Sequence, residues 1–369
     1  MTSHDSDPVP APAAADTGTG EAQQPATDAA AAPARRGRGL SVPETGALLA
    51  VLVGLFTYFS FASPFFLNSE NLINILQNVA VVGIIACPAT LLLISGQFDL
   101  SVGSGVGFAG MLMAVAALAP GTGGVDLPLA MNLQVSSAFL IAVAGTLLIG
   151  FINAFAVTVV GINALITTLG TLAIFRGLTK VLGDGQTIRI EDFGGLGVLR
   201  FPEGGLPIIG VGIPLPVYIF AAVVIAFWAV LRYTVYGRSL YAIGASPTAA
   251  RLAGIRVKRV IFIAFLLSSL CVALAGLIRL SQVAGASVNS GLGIELSVIT
   301  AVVLGGASLS GGRGGIGGTV LAVLIVGVLS NGLIQTRVPS FWIEVAGGLL
   351  LLGAVAVDRF RVRFTHADV

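Results

Sequence analysis

Asp99 stands in the run Ser95-Gly-Gln-Phe-Asp-Leu-Ser-Val-Gly103, where it interrupts a long apolar stretch. Burying an ionisable group at membrane depth costs free energy, so such a residue is by default a marker of function. Two roles are open to it. Asp99 or Ser101 caps the helix that follows, satisfying its free N–H donors and complementing its dipole. Alternatively, the two line a solute path. The roles are compatible.

Other polar groups fall in apolar surroundings at helical spacing. Asn74, Gln77 and Asn78 share one helix face, and Asn163, Thr167 and Thr168 cluster at the start of another segment. Amides and hydroxyls at such positions hydrogen-bond a neutral polyhydroxyl solute, or they join one helix to the next. Arg176 and Lys180, four residues apart, are expected to snorkel to the interface. A second interruption, Leu304-Gly-Gly-Ala-Ser-Leu-Ser-Gly-Gly-Arg-Gly-Gly315, resembles the first: Leu309-Ser310 matches Leu100-Ser101, and each pair is followed by glycines and another apolar run. Paired broken segments in two halves of a transporter point to its pathway. Glycine-mediated helix packing is the competing account.

Ser246-Pro-Thr-Ala-Ala-Arg-Leu-Ala-Gly254 reads as a short capped helix in a basic loop. Ser246 supplies the cap, Pro247 suits the first helical position and Gly254 takes the left-handed stop. Two turns of helix are marginal in water, so this one needs a surface to pack against, either a protein partner or the membrane. A connector with no partner is the alternative.

Several chemistries are absent. The only histidines, His4 and His366, sit near the chain ends, so no imidazole is available within the apolar segments for a metal or a catalytic triad. No Gly-x-x-x-x-Gly-Lys-Ser/Thr run occurs, so the chain has no recognisable phosphate loop with which to hydrolyse ATP itself. The Gly103–Gly107 run has no strand before it, which argues against a dinucleotide site. Cys87 and Cys271 both fall inside apolar segments and act there as small packing groups. No cofactor is expected.

The elements that must position these groups follow from composition. Hydrophobic residues make up 56% of the chain and charged ones 10%, with mean hydropathy +0.98; soluble domains average about 25% charged. The fold class is an all-α polytopic membrane bundle. At about 20 apolar residues per crossing, about ten spans begin near Ala47, Leu72, Ser101, Val135, Ala164, Pro216, Val260, Leu296, Gly317 and Phe341. The second, third and eighth are interrupted by Gly, Ser or Pro.

Arg232, Arg238, Arg251, Arg256, Lys258 and Arg259 cluster where no acidic residue occurs between Glu203 and Glu295. By the positive-inside rule that loop is cytoplasmic, and Arg35, Arg36 and Arg38 with Arg359, Arg361 and Arg363 put both termini there too. The net charge of +2 reflects this topology and gives no case for nucleic acid.

Residues 1–43, rich in Ala, Pro, Thr and Asp, are expected to form a disordered cytoplasmic tail. Residues 44–358 form the membrane domain and 359–369 a cytoplasmic C-terminal tail. The outer loop Gly183–Ile213 carries Asp184, Arg189, Glu191, Asp192, Arg200 and Glu203. Arg189 and Arg200 are candidates to meet carboxylates of a partner, or the loop is simply solvated.

Four runs together resemble one family. They are Ile94–Ser104, Thr168–Leu178, Ala242–Ile255 and Ala301–Gly312, and their order and spacing are similar to the permease subunits of ribose-type ATP-binding-cassette importers from about residue 45 to 358. The resemblance implies that the capped helix, with Gly244, Ser246, Pro247, Ala249, Ala250, Arg251, Leu252 and Gly254, docks into a separate cytoplasmic ATPase. It implies an extracytoplasmic sugar-binding protein and a second permease copy, identical or not. Transport of a monosaccharide such as ribose or xylose would then proceed by alternating access in the cell membrane. Asn74, Asn78, Asp99, Ser101, Asn163, Thr167 and Thr168 are the candidate pathway residues. Ala245, Ser246 and Thr248 replace the family's usual Gly, Asn and Glu, and Gln97-Phe98 replaces Gly-Ile, which affects the pathway more than the cap. The alternatives are the same machinery for a nucleoside, sugar alcohol or furanosyl signalling molecule, or an ion-coupled secondary transporter using Asp99.

Overall fold

A computed structural model of the chain describes residues 44–119, 129–190 and 213–366. Apolar segments become helices because the bilayer offers the backbone no partner outside the segment itself. The order is α1 (Glu44–Ala62), α2 (Ser69–Ile94), α3 (Val102–Ala117), α4 (Val135–Phe155) with a π-helical turn (Ala156–Val160), and α5 (Ala164–Leu182). A two-residue strand β1 (Ile188–Arg189) precedes α6 (Leu215–Tyr233), α7 (Val235–Ala245), α8 (Pro247–Leu252) and α9 (Val257–Gln282). Strand β2 (Gly285–Ala286), α10 (Ile294–Leu304), α11 (Ile316–Gln335) and α12 (Ser340–His366) complete the chain.

All ten apolar segments expected from the sequence are present, each starting within a few residues of its expected position. Among the described residues, seven helices are long and apolar enough to cross a membrane alone. The protein is a multi-pass helical membrane protein. Helices α3 and α10 fall short: 16 and 11 residues reach about 24 and 17 Å at 1.5 Å per residue, against a hydrocarbon core of about 30 Å. The loops 95–101 and 305–315 accompany them. The second segment differs from expectation, since α2 runs unbroken through Pro88.

Helix α3 is buried along nearly its whole length and packs against α4, α5 and α9. Its start needs glycine. A methyl group on Gly103 would fall on the Glu295 carboxylate and the Gly291 carbonyl, which back onto this turn from α10 and the segment before it. The main core joins α2, α9, α10 and α11 through Ile84, Ile85, Ile94, Val272, Val302 and Val323. Apolar side chains on α1, α4, α5 and α12, such as Phe61, Leu140, Ile166 and Leu349, point outward, as expected for lipid-facing surfaces.

Two features escape a count of apolar runs. Helix α7 follows α6 after a turn at Thr234, whose hydroxyl accepts from the Gly237 N–H at 3.1 Å and caps it. Strands β1 and β2 pair antiparallel, Ile188 with Ala286 and Arg189 with Gly285. They lie beyond the C-terminal ends of α5 and α9, the opposite end of the bundle from α8.

Candidate functional site

Helix α8 is built as its sequence requires. The Ser246 hydroxyl accepts from the Ala249 N–H at 3.2 Å, Pro247 occupies the first position, and Gly254 is left-handed at φ +82°. The surface it needs is, on one side, the bundle itself: Ala250 is buried in a cluster with Ile243, Ile261, Ala264 and Phe265. Pro247, Thr248, Ala249, Arg251 and Leu252 face outward, and Leu252 is 86% exposed. Leu252 is thus an apolar side chain left uncovered on a helix seated by its opposite face. Ser246→Ala is expected to weaken the first turn by about 1 kcal/mol, read as faster hydrogen exchange at the Ala249 amide without change in the rest of the fold.

Behind α8 the chain is very tightly packed. Gly244, at the end of α7, touches the Ile94 carbonyl and the Gly312 N–H, leaving no room for a Cβ. Gly312 donates to the Ile94 carbonyl at 2.8 Å, and the Tyr241 hydroxyl donates to the Gly314 carbonyl at 2.8 Å. The two interrupted segments marked in the sequence therefore meet, and α7 lies across their junction. Burial pushes the pKa of the Tyr241 phenol up, which keeps it protonated and a donor to Gly314.

Asp99 sits between α2 and α3 and is buried. Its Oδ1 accepts from the Ser101 N–H at 3.1 Å and the Ser101 hydroxyl at 2.6 Å, and its Oδ2 accepts from the Ser268 hydroxyl on α9 at 2.9 Å. Asn153 on α4 donates to Ser101 Oγ at 2.9 Å and accepts from Thr171 on α5 at 2.8 Å. Five side chains thus tie the start of α3 to α4, α5 and α9. Ser101 itself makes no side-chain cap to α3. Sequence reasoning missed Asn153, Thr171 and Ser268; a lone amide in Phe151-Ile-Asn-Ala-Phe was the available signal. Asp99→Ala leaves buried hydroxyls on two sides without their acceptor and is expected to cost about 3 kcal/mol, whereas isosteric Asp99→Asn is expected to cost about 1 kcal/mol. Thermal unfolding in detergent measures both.

The other candidates do not converge on this network as one surface. Asn74 and Asn78 are exposed on α2 near the end opposite α8, where Asn78 Nδ2 donates to the Asn74 carbonyl at 2.9 Å and Asn78 Oδ1 accepts from Arg279 at 3.3 Å. Asn163 caps α5 by accepting from the Leu165 N–H at 2.9 Å, and Thr167 and Thr168 donate back to the carbonyls of Asn163 and Ala164. Thr168 is buried. Thr171, one turn on, reaches both threonine carbonyls and so links this turn to Asn153.

Arg176 departs from the expected snorkelling. Its guanidinium turns to the Glu295 carboxylate on α10, 3.4 Å away. Lys180 is exposed. Glu295, with Ser297, Thr300, Ser330 and Glu344, also lines a cavity of about 460 Å³ between α10, α11 and α12; none of these was singled out from the sequence. Arg189 is exposed on β1, while Arg200 lies outside the described residues. Among those residues no cluster of metal-ligating side chains occurs.

The described residues form a multi-pass helical bundle in which the short helices α3 and α10 adjoin the loops 95–101 and 305–315, with α8 exposed at one end. The chain belongs to the family described as branched-chain amino acid transport system, permease component, whose model matches residues 71–355. It is 36% identical over 321 residues to the ribose import permease protein RbsC of Escherichia coli K12, covering 85% of this chain and 93% of that one. It is 38% identical to RbsC of Bacillus subtilis 168, covering 81% and 88%. To the L-arabinose transport system permease protein AraH of Escherichia coli K12 it is 36% identical, covering 85% and 90%. No solved structure matches the chain. The resemblance carried by the four runs holds at the level of the family: the chain is a permease component of that family.

Proposed function

We propose that this chain is the membrane subunit of an ATP-driven, binding-protein-dependent importer of a monosaccharide of the ribose type, working by alternating access and without covalent chemistry of its own. The observation that carries this reading is α8, a helix of six residues seated through Ala250 and presenting Thr248, Ala249, Arg251 and Leu252 to whatever lies beyond the bundle. That face is the docking surface for a separate ATPase, which binds the ATP. Ser246, Pro247 and Gly254 hold the helix in shape, and Gly244 passes its displacement to the loops at Ile94 and Gly312. The ribose and arabinose names of the relatives support a pentose as solute.

The α8 end also carries Arg251, Arg256, Lys258 and Arg259, all exposed, which supports placing it and both termini in the cytoplasm. The opposite end, with Arg189 on β1, then faces the sugar-binding protein. A second permease copy completes the pathway. Asp99, Ser101, Asn163, Thr167 and Thr168 act through the α3–α5 packing that must shift during access, and Asn74 and Asn78 act near the outer mouth. Affinity purification from the native membrane in mild detergent, with mass spectrometry of what accompanies the chain, tests the partner set. An ATPase and a binding protein carrying a pentose are expected; a folded chain recovered alone even after crosslinking would count against it.

A further inference from the structure

The end of the bundle that carries α8 has a recess beside α7 that the transport reading does not use. It has a volume of about 440 Å³ and is lined by Trp228, Leu231, Arg232, Arg238, Tyr241 and the backbone of Gly315 to Gly317. Its charge is of one sign. Both guanidinium groups are exposed, no carboxylate lines the recess, and the ion pair found among the described residues, Arg176–Glu295, involves neither arginine.

The wall formed by α11 adds to this charge. The helix begins at Ile316 after an N-cap at Gly315 with no side-chain cap, and a Cβ on Gly315 or Gly317 would meet nothing within 4 Å, so its first turn borders the recess uncovered by side chains at these positions. The Tyr241 hydroxyl is already committed to the Gly314 carbonyl and fixes this turn against α7.

The depth of the recess is marked by Trp228, one turn before Arg232 on α6. It is 47% exposed and meets Tyr233 edge-on with ring centroids 5.4 Å apart. Tryptophan and tyrosine on an outward helix face sit at headgroup level in a bilayer. Arg232 lies between these two aromatics in the chain and Arg238 just beyond them, the depth at which a lipid phosphate lies, and a guanidinium matches phosphate oxygens with paired N–H donors.

We propose that this recess binds the phosphate diester of an anionic phospholipid. Arg232 and Arg238 take the phosphate oxygens, the N-terminal turn of α11 lies behind them, and the acyl chains run past Leu231 and Trp228. The bound lipid bridges the α6–α7 corner to α11. This assignment does not depend on the solute carried or on an ATPase partner.

The test is native mass spectrometry of the purified full-length chain exchanged into phosphatidylglycerol or phosphatidylcholine, alongside thermal unfolding with each lipid or with inorganic phosphate. Wild type is expected to retain phosphatidylglycerol over phosphatidylcholine. Arg232→Gln with Arg238→Gln is expected to lower that retention about tenfold or more. Arg259→Gln, which removes a charge outside the recess, is expected to behave as wild type. The pair Arg232→Lys and Arg238→Lys, which keeps the charge if the glutamine variant fails to fold, is expected to retain part of the preference. Equal retention in wild type and a folded glutamine variant would overturn the proposal. Stabilisation by inorganic phosphate alone, lost in the same variant, would keep the phosphate site and overturn the lipid as its source.

Discussion

Sugar uptake is expected to fall to background when Ala249 and Leu252 are both replaced by aspartate, while the permease stays folded and inserted. Both side chains are exposed and neither takes part in the Ala250 seat, so the change leaves the bundle untouched. It places two charges where an apolar partner surface would have to close over them, and each unpaired charge in a desolvated contact costs several kcal/mol. The ATPase is then expected to lose its stimulation by loaded binding protein. Ala250→Asp is the wrong variant for this purpose, since Ala250 is buried against Ile243 and Ile261 and a carboxylate there would unseat the helix. Unchanged ATP-dependent uptake in the Ala249→Asp, Leu252→Asp chain would remove α8 from the coupling path.

Gly244→Ala is expected to give one of the larger losses of stability from a single methyl group among the described residues. The added Cβ would overlap the Ile94 carbonyl on one side and the Gly312 backbone on the other. Neither neighbour is a flexible side chain, so relief requires moving the end of α2 or the loop before α11. Overpacking costs about 1–3 kcal/mol where side chains can adjust, and a backbone-on-backbone contact belongs at or above the upper end. Gly254→Ala is the comparison: its φ of +82° makes alanine strained, but nothing lies within 4 Å, so the expected cost is only about 1 kcal/mol. Thermal unfolding of the two variants in the same detergent should rank Gly244→Ala well below Gly254→Ala. The reverse order would mean that the junction at Ile94 and Gly312 is loose.

Helix α8 was legible residue by residue because caps are local: Ser246 reaches only as far as Ala249, and the Gly254 stop needs no tertiary partner. The ten apolar segments were legible because hydrocarbon thickness sets their length. Helix α7 was not, since its buried face consists of Gly237, Ser239, Leu240 and Ile243, with two large apolar side chains to announce it. Asp99 and Ser101 stood out because they break an apolar run, yet their partners Ser268, Asn153 and Thr171 come from three other helices that only the fold brings together. Arg176 and Glu295 show the same limit: 119 residues apart, each looked like an isolated charge. The meeting of Gly244 with Gly312 was half legible, as the two glycine-rich interruptions were paired in the sequence but the helix lying across them was not.

Uptake of labelled pentose into proteoliposomes tests the account most directly. The chain is reconstituted with the ATPase and binding protein that accompany it, and compared with the chain alone under a proton or sodium gradient. The account predicts uptake that requires ATP and both partners, and none from the chain alone. Gradient-driven uptake by the purified chain would contradict it and make the protein a secondary transporter.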